Sequence, residues 1–231
     1  MEIKDVLVQG SVKKVYSTNN AEQAVVEFSD TVSANGKKKS SMNGKAELNN
    51  AISAYMFEYL ESYNVPTHFS KLHDAKSFVA KRLEMIPIVI AVYNLASKEL
   101  AERFNIEEGK VLEFPIVEMY YKDEKGERPM INEYHAYALG LCDRKDMTSI
   151  MRIATKVNAV LKSFFGRKQL QLVSFEIEFG RQNGQVMLAD EVSLDTMRLW
   201  PLKDNGNFDK IDESKKTIKV MEDLKSRILG S

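Results

Sequence analysis

"SFEIEFGRQNGQVMLADEV", residues 174–192, reads as a β-hairpin. Alternation puts Phe175, Ile177 and Phe179 on one face and Ser174, Glu176 and Glu178 on the other, and the second strand, "QVML", runs into Asp190-Glu191. A strand face with two carboxylates has two readings. It is the solvated side of an antiparallel sheet, or it supplies oxygen ligands to a divalent cation. Loop length separates them. A two-residue Asn183-Gly184 loop puts Glu178 and Asp190 on opposite faces. A three-residue loop, Gln182 to Gly184, pairs Glu178 with Leu188 and Glu176 with Asp190, so that all three acids share a face.

Outward from the hairpin, the pattern is α+β with mostly antiparallel sheets. "DVLVQG", "VKKVYST" and "QAVVEFSD" form a first small sheet, followed by a lysine-rich loop, "ANGKKKSSMNGKAELNN". Leu48, Ile52, Tyr55, Met56, Tyr59 and Leu60 recur at helical spacing from about Ala46 to Tyr63, where Asn64 and Pro66 stop the helix. "THFSKL", "SFVAKRLEMI" and "PIVIAVYN" read as strands, and Pro87 marks a hinge between a small N-terminal lobe, 1–85, and a larger C-terminal lobe, 86–231. A short helix over "ASKELAERF" precedes a strand pair through "VLEFPIVEMYYKD" and a turn over 124–127. Asp143 caps a long helix to about Phe165, its buried face formed by Ile150, Ile153, Ala154, Val157, Leu161 and Phe164. A charged helix runs from about Asp212 to Leu229.

Composition excludes several classes. Thirty-three basic residues balance 33 acidic ones, so no net field points to nucleic acid or an anionic membrane. No apolar run reaches the roughly 18 residues of a membrane span. One cysteine, Cys142, and a polar start without a signal-peptide core favour the cytoplasm. Three scattered histidines lack zinc spacing. G-x-S-x-G, Walker A and G-x-G-x-x-G patterns do not occur.

What chemistry there is lies in short stretches. "VQGSVKKVYST" pairs a glycine turn with Lys13 and Lys14, a combination that lets backbone and charge approach a phosphate, though Gly turns are also ordinary hairpin features. In "KRLEMIP", Lys81 leads into an inter-lobe linker whose backbone suits an adenine edge; an edge-strand lysine is the plain alternative. "DEVSLDTMRLWP" adds Asp195 and Arg198, the latter suited to a planar contact with phosphate or carboxylate, or to a salt bridge beside Trp200.

In order along nearly the whole chain, "GSVKKVY", "VEFSD", "NGKKK", "NGKAELNN", "VPTHF", "KRLEMIP", "FNIEEG", "PMINEYHA", "EFG", "LADEVSLDTMRLW" and the Asp209-Lys210 pair resemble the SAICAR synthetase family. The resemblance implies a two-lobed fold with an ATP cleft between the lobes. It further implies a ligase that joins a carboxylate to the amine of aspartate through an acyl phosphate, using ATP and Mg2+. Lys13, Val15, Lys81, Leu83 and Met85 would line the nucleotide site, and Glu178 and Asp190 would hold the metal; Lys13, Glu178 and Asp190 form the catalytic set. Arg198 matches the arginine directed at the substrate phosphate. Family members commonly form dimers.

On the acceptor side the chain departs from the family. Ser11 and Val12 replace a lysine and an alanine in the glycine loop. Tyr93 stands for an arginine, Lys98-Glu99 for a Gly-Ser pair, Arg128 for an acid, Val89 for a glutamate, Ser174 for an aspartate and Glu176 for a lysine. Each lost charge-assisted contact removes roughly 1.5 to 3 kcal/mol. Tyr93, Lys98, Arg128, Ser174, Glu176, Asp195 and Arg198 therefore define the expected acceptor pocket. The main expectation is an ATP- and Mg2+-dependent carboxylate–amine ligase of this family with an altered acceptor or amine, acting on small molecules in specialised biosynthesis. The alternatives are the ordinary purine-biosynthesis step, a non-catalytic nucleotide-binding protein, and a small-molecule kinase.

Overall fold

Short β-branched runs separated by turns build the first three strands, β1 (Ile3–Gln9), β2 (Lys13–Thr18) and β3 (Gln23–Phe28), as the alternation requires. The computed structural model describes residues 1–34, 37–123, 126–204, 206–213 and 216–230. The lysine-rich stretch is not a loop: Thr31–Ala34 (β4) and Lys37–Ser41 (β5) pair antiparallel. Residues 35–36, and part of the expected 124–127 turn, lie outside the described residues. Helix α1 (Lys45–Ser62) starts after Gly44, whose φ of 84° is open to glycine, with the Asp30 carboxylate accepting from the Ala46 N–H at 2.9 Å. It ends where Asn64 turns left-handed, φ 58°.

By its packing the chain divides into two compact units: Met1–Glu84 with Gly180–Ser193 and Lys215–Ser231, and Met85–Phe179 with Leu194–Ser214. This differs from two contiguous lobes at 1–85 and 86–231, because two later segments return to the N-terminal unit. Pro87 is not a junction either. Strand β7 (Ser77–Lys81) ends six residues earlier, and β8 (Glu84–Leu95) runs straight through the proline. Near the start of a strand, the absent N–H costs the ladder little.

In the first unit the sheet order is β1-β2-β3-β7-β6, with β6 spanning Phe69–Leu72. Phe28, Phe57, Phe69 and Phe78 pack in its core, joined by His68, whose ring lies edge-on to Phe57 and Phe78 at 5.2 and 5.5 Å. The last helix, α5 (Ile218–Leu229), starts later than the expected Asp212, because Thr217 caps it, and packs on α1. With a sheet on one side and α5 on the other, α1 buries a wide arc including Leu48, Ile52, Met56, Phe57 and Leu60.

In the second unit β8 lies beside β9 (Val111–Tyr121), which pairs with β10 (Met130–Ile131). "VLEFPIVEMYY" is thus a single strand, not a pair; its Pro115 sits at an exposed position. Ser97 caps α2 (Lys98–Phe104), and Asn132 caps α3 (Glu133–Ala138). Asp143 caps α4 (Arg144–Arg167) as expected, and all six residues expected on its inner face are buried. Asn158 of α4 and Asn94 of β8 exchange buried side-chain hydrogen bonds of 2.8 and 3.1 Å. Strand β11 (Leu170–Gln182) pairs with β13 (Met197–Pro201). From Gly180 onward it belongs to the first unit, where it turns at Asn183-Gly184 into β12 (Gln185–Ala189).

Candidate functional site

The turn has two residues, not three: Asn183 and Gly184 have φ of 53° and 74°, the left-handed pair that matches strand twist. Strict alternation would then set Glu178 and Asp190 on opposite faces. Asp190 escapes that rule, because it lies past the end of β12 with its own backbone left-handed, φ 62°. Its orientation is set locally, by the bend into Glu191.

That bend builds a charged cluster in the first unit. Lys13, the first residue of β2, places Nζ 2.6 Å from Asp190 Oδ1 and 2.6 Å from Glu191 Oε1. Glu191 is buried, also accepts from the Ser193 hydroxyl, and is followed by Val192, whose N–H donates to Ser53 Oγ of α1 at 3.0 Å. Burial alone would lower the Lys13 pKa, but the charges of Asp190 and Glu191 outweigh it and hold the ammonium well above its ordinary value. His68 is buried, and its backbone N–H donates to the Leu188 carbonyl at 2.9 Å. Desolvation pushes its pKa down to about 4, so it is neutral at physiological pH.

The other residues expected at the nucleotide site are placed as follows. Val15 stands opposite Val26 in β2–β3. Lys81 ends β7 and donates to the Thr67 carbonyl at 3.1 Å. Leu83 packs on Gly180, and Met85 is exposed as the first residue of the second unit. Glu178, in the second unit, accepts from Lys122 Nζ with both oxygens, at 2.7 and 2.9 Å.

The expected acceptor residues all belong to the second unit. Glu176 pairs with Arg128 at 2.8 Å, and Ser174, which is buried, stands opposite Arg198 in the β11–β13 ladder. Arg198 engages Glu99 at 3.2 and 3.3 Å. Lys98 and Asp195 are exposed. Tyr93 is partly buried, and desolvation, followed by the influence of nearby Tyr120, raises its pKa well above the usual phenol range. Sequence reasoning missed Glu191 as a ligand of Lys13, and also His68, Lys122, Glu99, Arg103, Glu118 and Tyr120. Only the adjacency of Glu191 to Asp190 was a usable signal; the rest are partners across strands and helices.

The SAICAR synthetase family model matches residues 6–226. A curated relative, the phosphoribosylaminoimidazole-succinocarboxamide synthase of Clostridium acetobutylicum, is 41% identical over 211 residues, covering 91% of this chain and 90% of the relative. A solved SAICAR synthetase in complex with ADP superposes with a TM-score of 0.90 at 34% identity, covering 100% of this chain and 98% of that one. The synthase from Ehrlichia chaffeensis also gives 0.90, at 28% identity, covering 97% and 98%. Fold and sequence family are those of an ATP-dependent ligase that forms a carbon–nitrogen bond. Within that class, the chain belongs to the SAICAR synthetase family.

Proposed function

We propose that the chain carries out the step for which its relatives are named, joining the amine of aspartate to the carboxylate of carboxyaminoimidazole ribotide at the expense of ATP. The support is the 41% identity across nine-tenths of both chains, together with the Lys13–Asp190–Glu191 cluster. In this reading Lys13 turns from its carboxylates toward the nucleotide phosphates, helped by Lys81, while Val15, Leu83 and Met85 border the base.

The carboxylates suit magnesium, since they are hard oxygen donors that hold a cation, the Lys13 ammonium, at 2.6 Å. Asp190 would contribute to holding the metal, and in the second unit Glu178 has Lys122 as the cation that balances it. When bound, magnesium neutralises charge on the β- and γ-phosphates. The chain's own contribution is orientation: the left-handed Asp190 aims its carboxylate, buried Glu191 keeps Lys13 charged, and the paired groups of the second unit align the acceptor.

A second reading, an altered acceptor or amine used in a specialised pathway, is favoured by one specific observation. Arg198 and Arg128 are each held by a glutamate, Glu99 and Glu176, at positions where the family resemblance implies no acid. One assay separates the two. Purified protein with Mg2+, ATP, aspartate and carboxyaminoimidazole ribotide should release ADP and yield the succinocarboxamide by mass spectrometry. ADP release only with other carboxylates or amines would establish the second reading and sink the first.

A further inference from the structure

Helix α4 carries a charge pattern that its packing does not explain. Its inner face is apolar, and its outer face holds Arg144, Lys145, Arg152, Lys156, Lys162 and Arg167, five of them exposed and Lys156 half-buried. At about 100° per residue these six fall within an arc of about 140°, along a helix roughly 36 Å long. The only carboxylate among its 24 residues, Asp146, is 9% exposed and lies on the buried side. Outside α4, 27 basic residues face 32 acidic ones, so a chain with no net charge concentrates positive charge on one helix. A solvated helix gains from alternating signs, as α5 does with Arg227 and Asp223 one turn apart at 3.0 Å. On α4 Arg152 and Lys156 stand one turn apart with like charge, and Arg144 and Lys145 occupy the first turn, where the helix dipole disfavours cations. Thr148, Ser149 and Thr155 lie among them and donate their hydroxyls to carbonyls one turn back, at 2.8, 3.0 and 2.9 Å, so they add no acid. These choices run against the stability of the helix and suit an anionic partner.

We propose that the outer face of α4 docks the phosphate backbone of a nucleic-acid duplex without reading its sequence. The match is one of charge: cations spread over roughly 33 Å from Lys145 to Arg167 meet phosphates that repeat along a rod. The exposed residues of α4 include no aromatic side chain, so nothing there stacks the unpaired bases that a duplex hides. They include no large apolar side chain either, so the face has neither the apolar core of a protein interface nor a group to insert between lipids. No α4 residue belongs to the nucleotide, metal or acceptor sets, so this docking is separate from the ligase chemistry.

The test is fluorescence anisotropy of a labelled DNA duplex of about 20 base pairs, titrated with the full-length chain at several KCl concentrations. With about four phosphate contacts, log K should fall with log [KCl] at a slope of about −3.6, a loss of roughly 150-fold between about 50 and 200 mM. Lys145→Gln, Arg152→Gln and Lys162→Gln together should cut the slope to about −1 and weaken binding about tenfold or more at the lower salt. Arg152→Gln alone, a milder change to the fold, should reduce the slope by about one. Removing the same charge from exposed lysines elsewhere, by Lys4→Gln, Lys71→Gln and Lys219→Gln, should leave binding within roughly threefold. Equal losses in the two triple variants would reduce the effect to net charge and overturn the proposal. So would the absence of duplex binding at the lower salt, or tighter binding of a single-stranded oligothymidylate of the same length or of phosphatidylserine–phosphatidylcholine vesicles. Self-association at low salt that the α4 variant abolishes would give the face to a second copy of the chain instead.

Discussion

At the scale of single residues, the decisive feature is a lysine in the wrong surroundings for a hydrophobic sheet. Lys13 survives among buried groups because two carboxylates neutralise it, and Glu191, with its side chain 2% exposed, is the more deeply buried of them. Glu191→Ala should therefore cost about 3 to 5 kcal/mol, as expected when one partner of a buried ion pair is removed. Urea unfolding would measure it, and a loss below about 1 kcal/mol would show that the cluster is solvated after all. His68 gives the fold an acid limit. Its folded pKa near 4 lies below the ordinary 6.5, so the unfolded chain takes up the proton first. The stability from neutral His68 is complete above pH 6.5 and is lost as pH falls toward 4, on the order of 3 kcal/mol in all. His68→Phe, which keeps the ring packing, should flatten the dependence of unfolding free energy on pH between 7 and 5; an unchanged slope would assign the acid loss to other groups.

Elements were legible where one periodicity ruled. The helices α1 and α4 and strand β3 follow directly from apolar spacing, because each buries a face that the sequence marks, whereas β1 was legible from its β-branched composition although all its residues are exposed. The hairpin turn was harder. Asn183-Gly184 is a strong two-residue signal, yet whether the acids share a face depended on the backbone of Asp190, whose left-handed bend no alternation pattern encodes. Pro87 misled because a proline near the start of a strand forfeits only one donor, so the strand continues through it. Gly180 marks a crossing that the sequence did not announce. A Cβ there would lie 2.7 Å from Leu83 Cβ and 3.0 Å from the Glu84 carbonyl oxygen. Gly180→Ala should lower stability by about 1 to 3 kcal/mol, as overpacking does, and thermal melting would show it. A neutral result would mean that the Leu83–Glu84 segment yields.

For the whole molecule, family membership was legible because many short stretches match in order, whereas the acceptor was not. Its residues meet through pairs such as Arg128–Glu176 and Arg198–Glu99, 48 and 99 positions apart. If the nucleotide reading is right, Mg2+ with ADP at about one hundred times its Kd should stabilise the chain by roughly 2.7 kcal/mol, visible as a raised Tm; no shift at any concentration would remove that reading. The division into units also bears on synthesis. The peptide passes from one unit to the other after Glu84, Phe179, Ser193 and Ser214. Lys13 waits 177 residues for Asp190, and α1 waits nearly as long for α5. On the ribosome, the segment made first thus belongs to the unit finished last. Until the C-terminal helix emerges, a lysine meant for burial and the apolar side of α1 stay uncovered, a window in which a chaperone or a misfolded neighbour finds its target.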